Sequence, residues 1–110
     1  MSQHFREETS NGVKVVTFTG IEVSPASKQD LYLLAEDQAH KRLLLDLSSI
    51  RYLSSYALGI LSNFLKKVIA AGGHLRLCGL SADLLDEFRI THLDHVFEIY
   101  GSKQEALRDF

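Results

Sequence analysis

Several things this sequence lacks narrow its role before any motif is considered. It holds one cysteine, Cys78, so no disulfide can close within the chain, and a reducing compartment is expected. That cysteine lies in the apolar run Leu75-Arg76-Leu77-Cys78, where a small buried side chain fits and where nothing but Arg76 is at hand to activate a thiol. Charge of one sign is also missing. Charged residues make up 24% of the chain and sum to a formal −2, so no broad field draws in phosphate backbones or anionic lipid. Nucleic acid is therefore not an expected partner. No apolar run approaches the ~20 residues of a membrane span, and the stretch Met1 to Glu8 is charged, unlike a signal peptide. A cytoplasmic location without membrane insertion is the expectation.

The groupings that enzymes need are scarce as well. Of His4, His40, His74, His92 and His95, only the last two are close in sequence, and no cysteine or second acidic cluster completes a metal site beside them. All five read as loop or surface histidines. The pair Gly72-Gly73 follows a helical pattern instead of opening one, which suits a C-cap and not a phosphate cradle. No catalysis, cofactor or metal is expected.

What is present is enough for one domain. The chain has 110 residues, 45% of them hydrophobic, sufficient for a single core without metals or disulfides. Phe5 to Thr9 and Val13 to Thr19 read as strands of a hairpin, because Asn11-Gly12 between them adopts positive φ easily. Ser24-Pro25 looks like a helix start running to about Gln38, with Leu31, Leu34 and Ala35 inward. Arg42 to Leu47 is an almost continuous apolar run, the pattern of a central strand buried on both faces. A second helix is expected from Ser55 to Ala71, with Leu58, Leu61, Leu65, Val68 and Ile69 inward and Ser62, Asn63, Lys66 and Lys67 outward. His74 to Cys78 reads as a strand, Ser81 to Phe88 as a helix capped by Ser81, and Val96 to Tyr100 as a last strand. A short helix capped by Ser102 then docks through Ala106, Leu107 and Phe110. The expected fold is α/β: a small open mixed β-sheet with an N-terminal antiparallel hairpin and about four helices packed mainly on one face.

The Ser54-Ser55 pair falls where the loop after the central strand meets the second helix. One serine is expected as N-cap and the other in the first turn, and capping alone explains the pair. The position has a second property. In open α/β sheets, binding sites gather at the carboxyl ends of strands, and a phosphate at a helix N-terminus is stabilised by free N–H groups and the dipole. Phosphorylation there would leave the domain folded yet add ~1.5 to 2 negative charges to a docking surface.

In three places the residues resemble the STAS domains, the family that includes bacterial anti-sigma-factor antagonists. Leu44-Leu45-Asp46-Leu47-Ser48-Ser49-Ile50-Arg51-Tyr52-Leu53 is similar to that family's central strand and loop. Ser54-Ser55-Tyr56-Ala57-Leu58-Gly59-Ile60-Leu61 resembles its Asp-Ser-Ser-Gly-Leu-Gly helix start, and the stretch from Ala71-Gly72-Gly73 through Leu77 to Phe88, Leu93, Val96-Phe97 and Ile99-Tyr100 its remaining half. The resemblance implies that Ser55 is the serine phosphorylated by a partner, an anti-sigma factor of the serine-kinase type. It departs from the family pattern at Ser54, Tyr56 and Ala57, which replace an aspartate, a serine or threonine, and a glycine. The resulting expectation is a protein-binding module whose partner surface comprises Ser54, Ser55, Tyr56, Ala57, Gly59, Ser62, Asn63 and Lys66. The competing expectation is a constitutive, unphosphorylated subunit of a signalling assembly or of a lipid-transporter ATPase complex. A small nucleotide-binding or hydrolytic enzyme has little support in the sequence.

Overall fold

A computed structural model describes residues 4–37 and 41–110. Strands β1 (Phe5–Ser10) and β2 (Val13–Phe18) form the expected antiparallel hairpin, turning at Asn11 and Gly12 with φ of 51° and 80°. Positive φ at both central residues matches the twist of the paired strands. The chain then passes through a 3-10 turn (Pro25–Ser27) into α1 (Lys28–Ala35), β3 (Arg42–Asp46), α2 (Ser55–Ala70), β4 (His74–Cys78) and α3 (Ala82–Ile90). A second 3-10 turn (Leu93–His95), β5 (Glu98–Tyr100) and α4 (Lys103–Leu107) complete it. The sheet order is β1-β2-β3-β4-β5, with β2 to β5 mutually parallel. The carboxyl ends of β2 and β3 therefore lie side by side, and the loops leaving them share one edge of the molecule.

Alternation along the strands divides the interior into two unequal parts. On one face Val16, Phe18, Leu43, Leu45, Leu75 and Leu77 meet the inward residues of α1, α2 and α3 in the main core. On the other, Val13, Val15, Leu44 and Cys78 are covered by Ala106 of α4, with Tyr100, Leu107 and Phe110 at the margin. Three helices on one face and one short helix on the other agree with the expected α/β sheet. The small core is held by two arginines. Arg76 donates to the carbonyls of Ala106 at 3.0 Å and Arg108 at 3.1 Å, its guanidinium lying between the rings of Tyr100 and Phe110. Arg42 reaches the carbonyls of Phe110 and Asn11. Burial under α4 pushes the Cys78 thiol up to about 12, reinforced by the Asp46 charge, so the thiol stays protonated and inert.

Helix α2 ends as its glycines foretell. Gly72 takes φ 81°, and the amides of Gly72 and Gly73 donate to the carbonyls of Ile69 at 2.9 Å and Val68 at 2.8 Å, the paired bonds of a Schellman cap. Several local expectations need correction. Ile69 is exposed, and Ile60 and Phe64 fill the inward stripe instead, because one helical step of about 100° carries position 69 round from the buried Val68 to the flank of α2. Ser24 precedes a 3-10 turn and makes no side-chain cap; the Ser27 hydroxyl donates to its carbonyl at 2.7 Å. β5 is short, since Leu93–His95 forms a turn and Val96 points to solvent. Gln38, the expected end of α1, and His40 lie outside the described residues.

Candidate functional site

The loop between β3 and α2 is tied to the loop between β2 and α1 at several points. The Ser49 hydroxyl lies 2.7 Å from the carbonyls of both Phe18 and Gly20. The Arg51 amide donates to the Ile21 carbonyl at 2.8 Å, and the Tyr52 hydroxyl donates to Glu22 Oε2 at 2.6 Å. That bond, with the Glu22 charge behind it, raises the Tyr52 pKa above its ordinary value. Asp46 turns the chain out of β3 by accepting from the Ser48 amide at 3.0 Å. Two neighbouring loops thus form one surface, with Ile21 and Tyr52 exposed upon it. Sequence reasoning left both residues out of the site. Tyr52 lies only two residues before Ser54, but the loop that it packs beside comes from a distant part of the chain.

The same surface leads into α2. Ser54 takes extended angles (φ −73°, ψ 166°), and its hydroxyl accepts from the Ala57 amide at 3.0 Å. Ser54 is therefore the N-cap. Ser55 is the first helical residue and is exposed, as is Tyr56, whose accessibility is 57%. The first turn of α2 contains no acidic residue, so the positive end of its dipole is not matched by a charge within the helix. A negative group on the Ser55 hydroxyl would be stabilised there without disturbing the cap.

Most of the sequence-chosen residues come together on one face. Ser55, Gly59, Ser62 and Lys66 follow helical spacing along α2, and Asn63 flanks them; all are exposed except Ser62, which is half-buried. Ala57 does not belong with them. Its amide serves the Ser54 cap while its methyl turns into the core at 2% exposure, so it is a packing residue. Gly59 leaves an opening, for a Cβ built there meets nothing within 4 Å. Tyr56, Gly59, Ile60 and Asn63 border a depression of about 190 Å³ shared with Lys28 and Tyr32 of α1. Among the described residues no group of three or more histidine, cysteine or acidic side chains is placed to hold a metal, and no helix is long and apolar enough to cross a membrane.

A family model described as the STAS domain matches residues 3–106. A curated Thermotoga neapolitana protein, provisionally named an anti-sigma factor antagonist homologue, is 32% identical over 73 residues, covering 66% of this chain and 65% of its own length. The match thus spans slightly less than two thirds of that relative. Among solved structures, an anti-sigma factor antagonist from Mycobacterium paratuberculosis superposes with a TM-score of 0.80 at 27% identity, over 94% of this chain and 89% of its own. The anti-sigma factor antagonist SpoIIAA, solved unphosphorylated and, from Bacillus, phosphorylated, shares the fold at TM-scores of 0.69 and 0.68. Its identities are 14% and 15%, over 96% and 94% of this chain and 94% and 96% of its own.

Proposed function

The chain belongs to the STAS domain family, and from that premise we propose that it is a protein-binding regulatory module controlled by phosphorylation of Ser55. Its partner is an anti-sigma factor of the serine-kinase type. Unmodified Ser55 permits docking on the surface formed by Ser54, Ser55, Tyr56, Gly59, Ser62, Asn63 and Lys66. Phosphate at Ser55 is accommodated by the helix N-terminus and repels or desolvates unfavourably against the partner.

One observation carries the reading. Ser54 alone makes the cap, and the exposed Ser55 hydroxyl is left at the start of a helix without first-turn acid, beside the exposed Tyr52 and Tyr56. Tyrosine supplies broad contact area at low conformational cost, the kind of anchor that protein interfaces favour. The names of similar proteins, and the solution of SpoIIAA in two phosphorylation states, support a role of this class. The domain would serve as a cytoplasmic regulator of transcription without chemistry of its own.

The test is incubation of the purified chain with a serine-kinase anti-sigma factor from the same genome and ATP, followed by intact mass and fragment mapping. One added phosphate on Ser55, abolished in Ser55→Ala, is the expected result. No phosphate, while the kinase binds unmodified and Ser55→Asp chains equally, would instead favour the constitutive subunit, and a phosphate elsewhere would remove Ser55 from the switch.

A further inference from the structure

Tyr32 of α1 forms the floor of a groove between α1 and α2. Its hydroxyl approaches the Ile60 carbonyl at 3.5 Å, and two cations share its ring: Lys28 Nζ lies 5.8 Å from the centroid and Lys67 Nζ 5.1 Å. Among the described residues neither lysine has a carboxylate within ion-pairing distance. Two ammonium groups drawn to one ring repel each other, and the ring offsets only part of that repulsion. Both lysines line one open space, where an anion would be stabilised by the pair.

The groove around the lysines is open and partly apolar. Beyond Tyr32, Pro25, the exposed Leu33 and Glu36 line, together with both lysines, a space of about 370 Å³. On the near side it continues into the depression beside Tyr56, since Lys28 and Tyr32 border both spaces. The groove therefore begins at Tyr56, the residue that follows Ser55.

We infer that this groove receives an acidic segment of the protein partner, with one aspartate or glutamate side chain in the space lined by Lys28 and Lys67 and apolar neighbours over Tyr56 and Leu33. The inference rests on the partner-binding reading of the Ser55 surface and adds to it the chemistry of what is bound. Charge complementarity selects the occupant. A small free anion would neutralise the lysines but leave Leu33 and Tyr56 wet, while a nucleic-acid strand would bring further phosphates against Glu36 in a chain of net charge −2.

The probe is an array of short peptides covering every arrangement of glutamate, glutamine, lysine and leucine, with binders titrated into the isotope-labelled full chain by NMR. Peptides with glutamate flanked by leucine should bind and move the resonances of Lys28, Tyr32 and Lys67. Lys28→Glu with Lys67→Glu should weaken them by about tenfold or more and admit lysine peptides instead; Lys28→Gln with Lys67→Gln serves if the reversal does not fold. Equal binding of glutamine peptides, equal shifts from free glutamate or inorganic phosphate, or no binding peptide at all would overturn the inference. The two readings fail separately. Phosphorylation of Ser55 with no acidic-peptide binding removes the groove alone, and groove binding in a chain never phosphorylated at Ser55 removes the switch alone.

Discussion

Helices α2 and α3 begin with the same device and diverge one residue later. Ser54 and Ser81 have nearly equal backbone angles (φ −73°, ψ 166° and φ −67°, ψ 166°), and each hydroxyl accepts from the amide three residues on. After the cap, α3 continues with Ala82 and Asp83, whose carboxylate already complements the dipole. Helix α2 continues with Ser55 and Tyr56, carries no first-turn acid, and stands beside the joined loops that expose Ile21 and Tyr52. A capping serine is thus a structural part that the fold uses repeatedly. What distinguishes α2 is the second hydroxyl, the missing acid and the exposed aromatic side chains, and the proposed docking surface rests on those features together.

Substitutions test how far the two helices are alike and where they part. Phe64 of α2 and Phe88 of α3 are both fully buried, so Phe64→Ala and Phe88→Ala are each expected to cost about 3–5 kcal/mol in urea denaturation. A much smaller loss at one would mean that the helices are not equal partners in the core. Ser54→Ala and Ser81→Ala should each cost about 1 kcal/mol, while Ser55→Ala stays within about 0.5 kcal/mol of the wild type. An appreciable loss at Ser55 would move the cap to the wrong serine. Gly59→Ala should stabilise the chain by about 0.5–1 kcal/mol, as expected for alanine replacing glycine within a helix, because the added methyl meets nothing. The same methyl should weaken partner binding, and unchanged affinity would remove Gly59 from the interface. The smallest effect is electrostatic. Ser55→Asp should add about 0.3–1 kcal/mol of stability at low salt, and Ala82→Asp less, since Asp83 already occupies that turn.

Features governed by local rules were legible in the sequence. The Asn11-Gly12 turn, the central strand read as Arg42 to Leu47 and found at Arg42–Asp46, the Gly72 cap and the Ser81 and Ser102 caps each follow from a few adjacent residues, and the structure has them. The serine pair was placed at the start of α2 for the same reason, and the structure decides which of the two makes the cap. Features that depend on distant parts of the chain were not legible. Nothing near Arg76 or Arg42 in sequence announces that they hold the backbone around α4, nor that Lys28 and Lys67 converge on Tyr32. Ala57 was misplaced because a motif assigns importance to every position in it, whereas the helical period turns that position toward the sheet. Ile69 was misplaced because it lies one helical step, about 100°, round from the buried Val68 and so turns to the flank of α2.

The dependence of docking on charge at residue 55 is best tested by calorimetric titration of the serine-kinase anti-sigma factor with wild-type, Ser55→Asp and Ala82→Asp chains, each shown to melt cooperatively. A charge at the start of α2 should weaken association by about tenfold or more, with the matching charge at the start of α3 leaving it unchanged. Wild-type affinity in Ser55→Asp would contradict a phosphate switch at this helix.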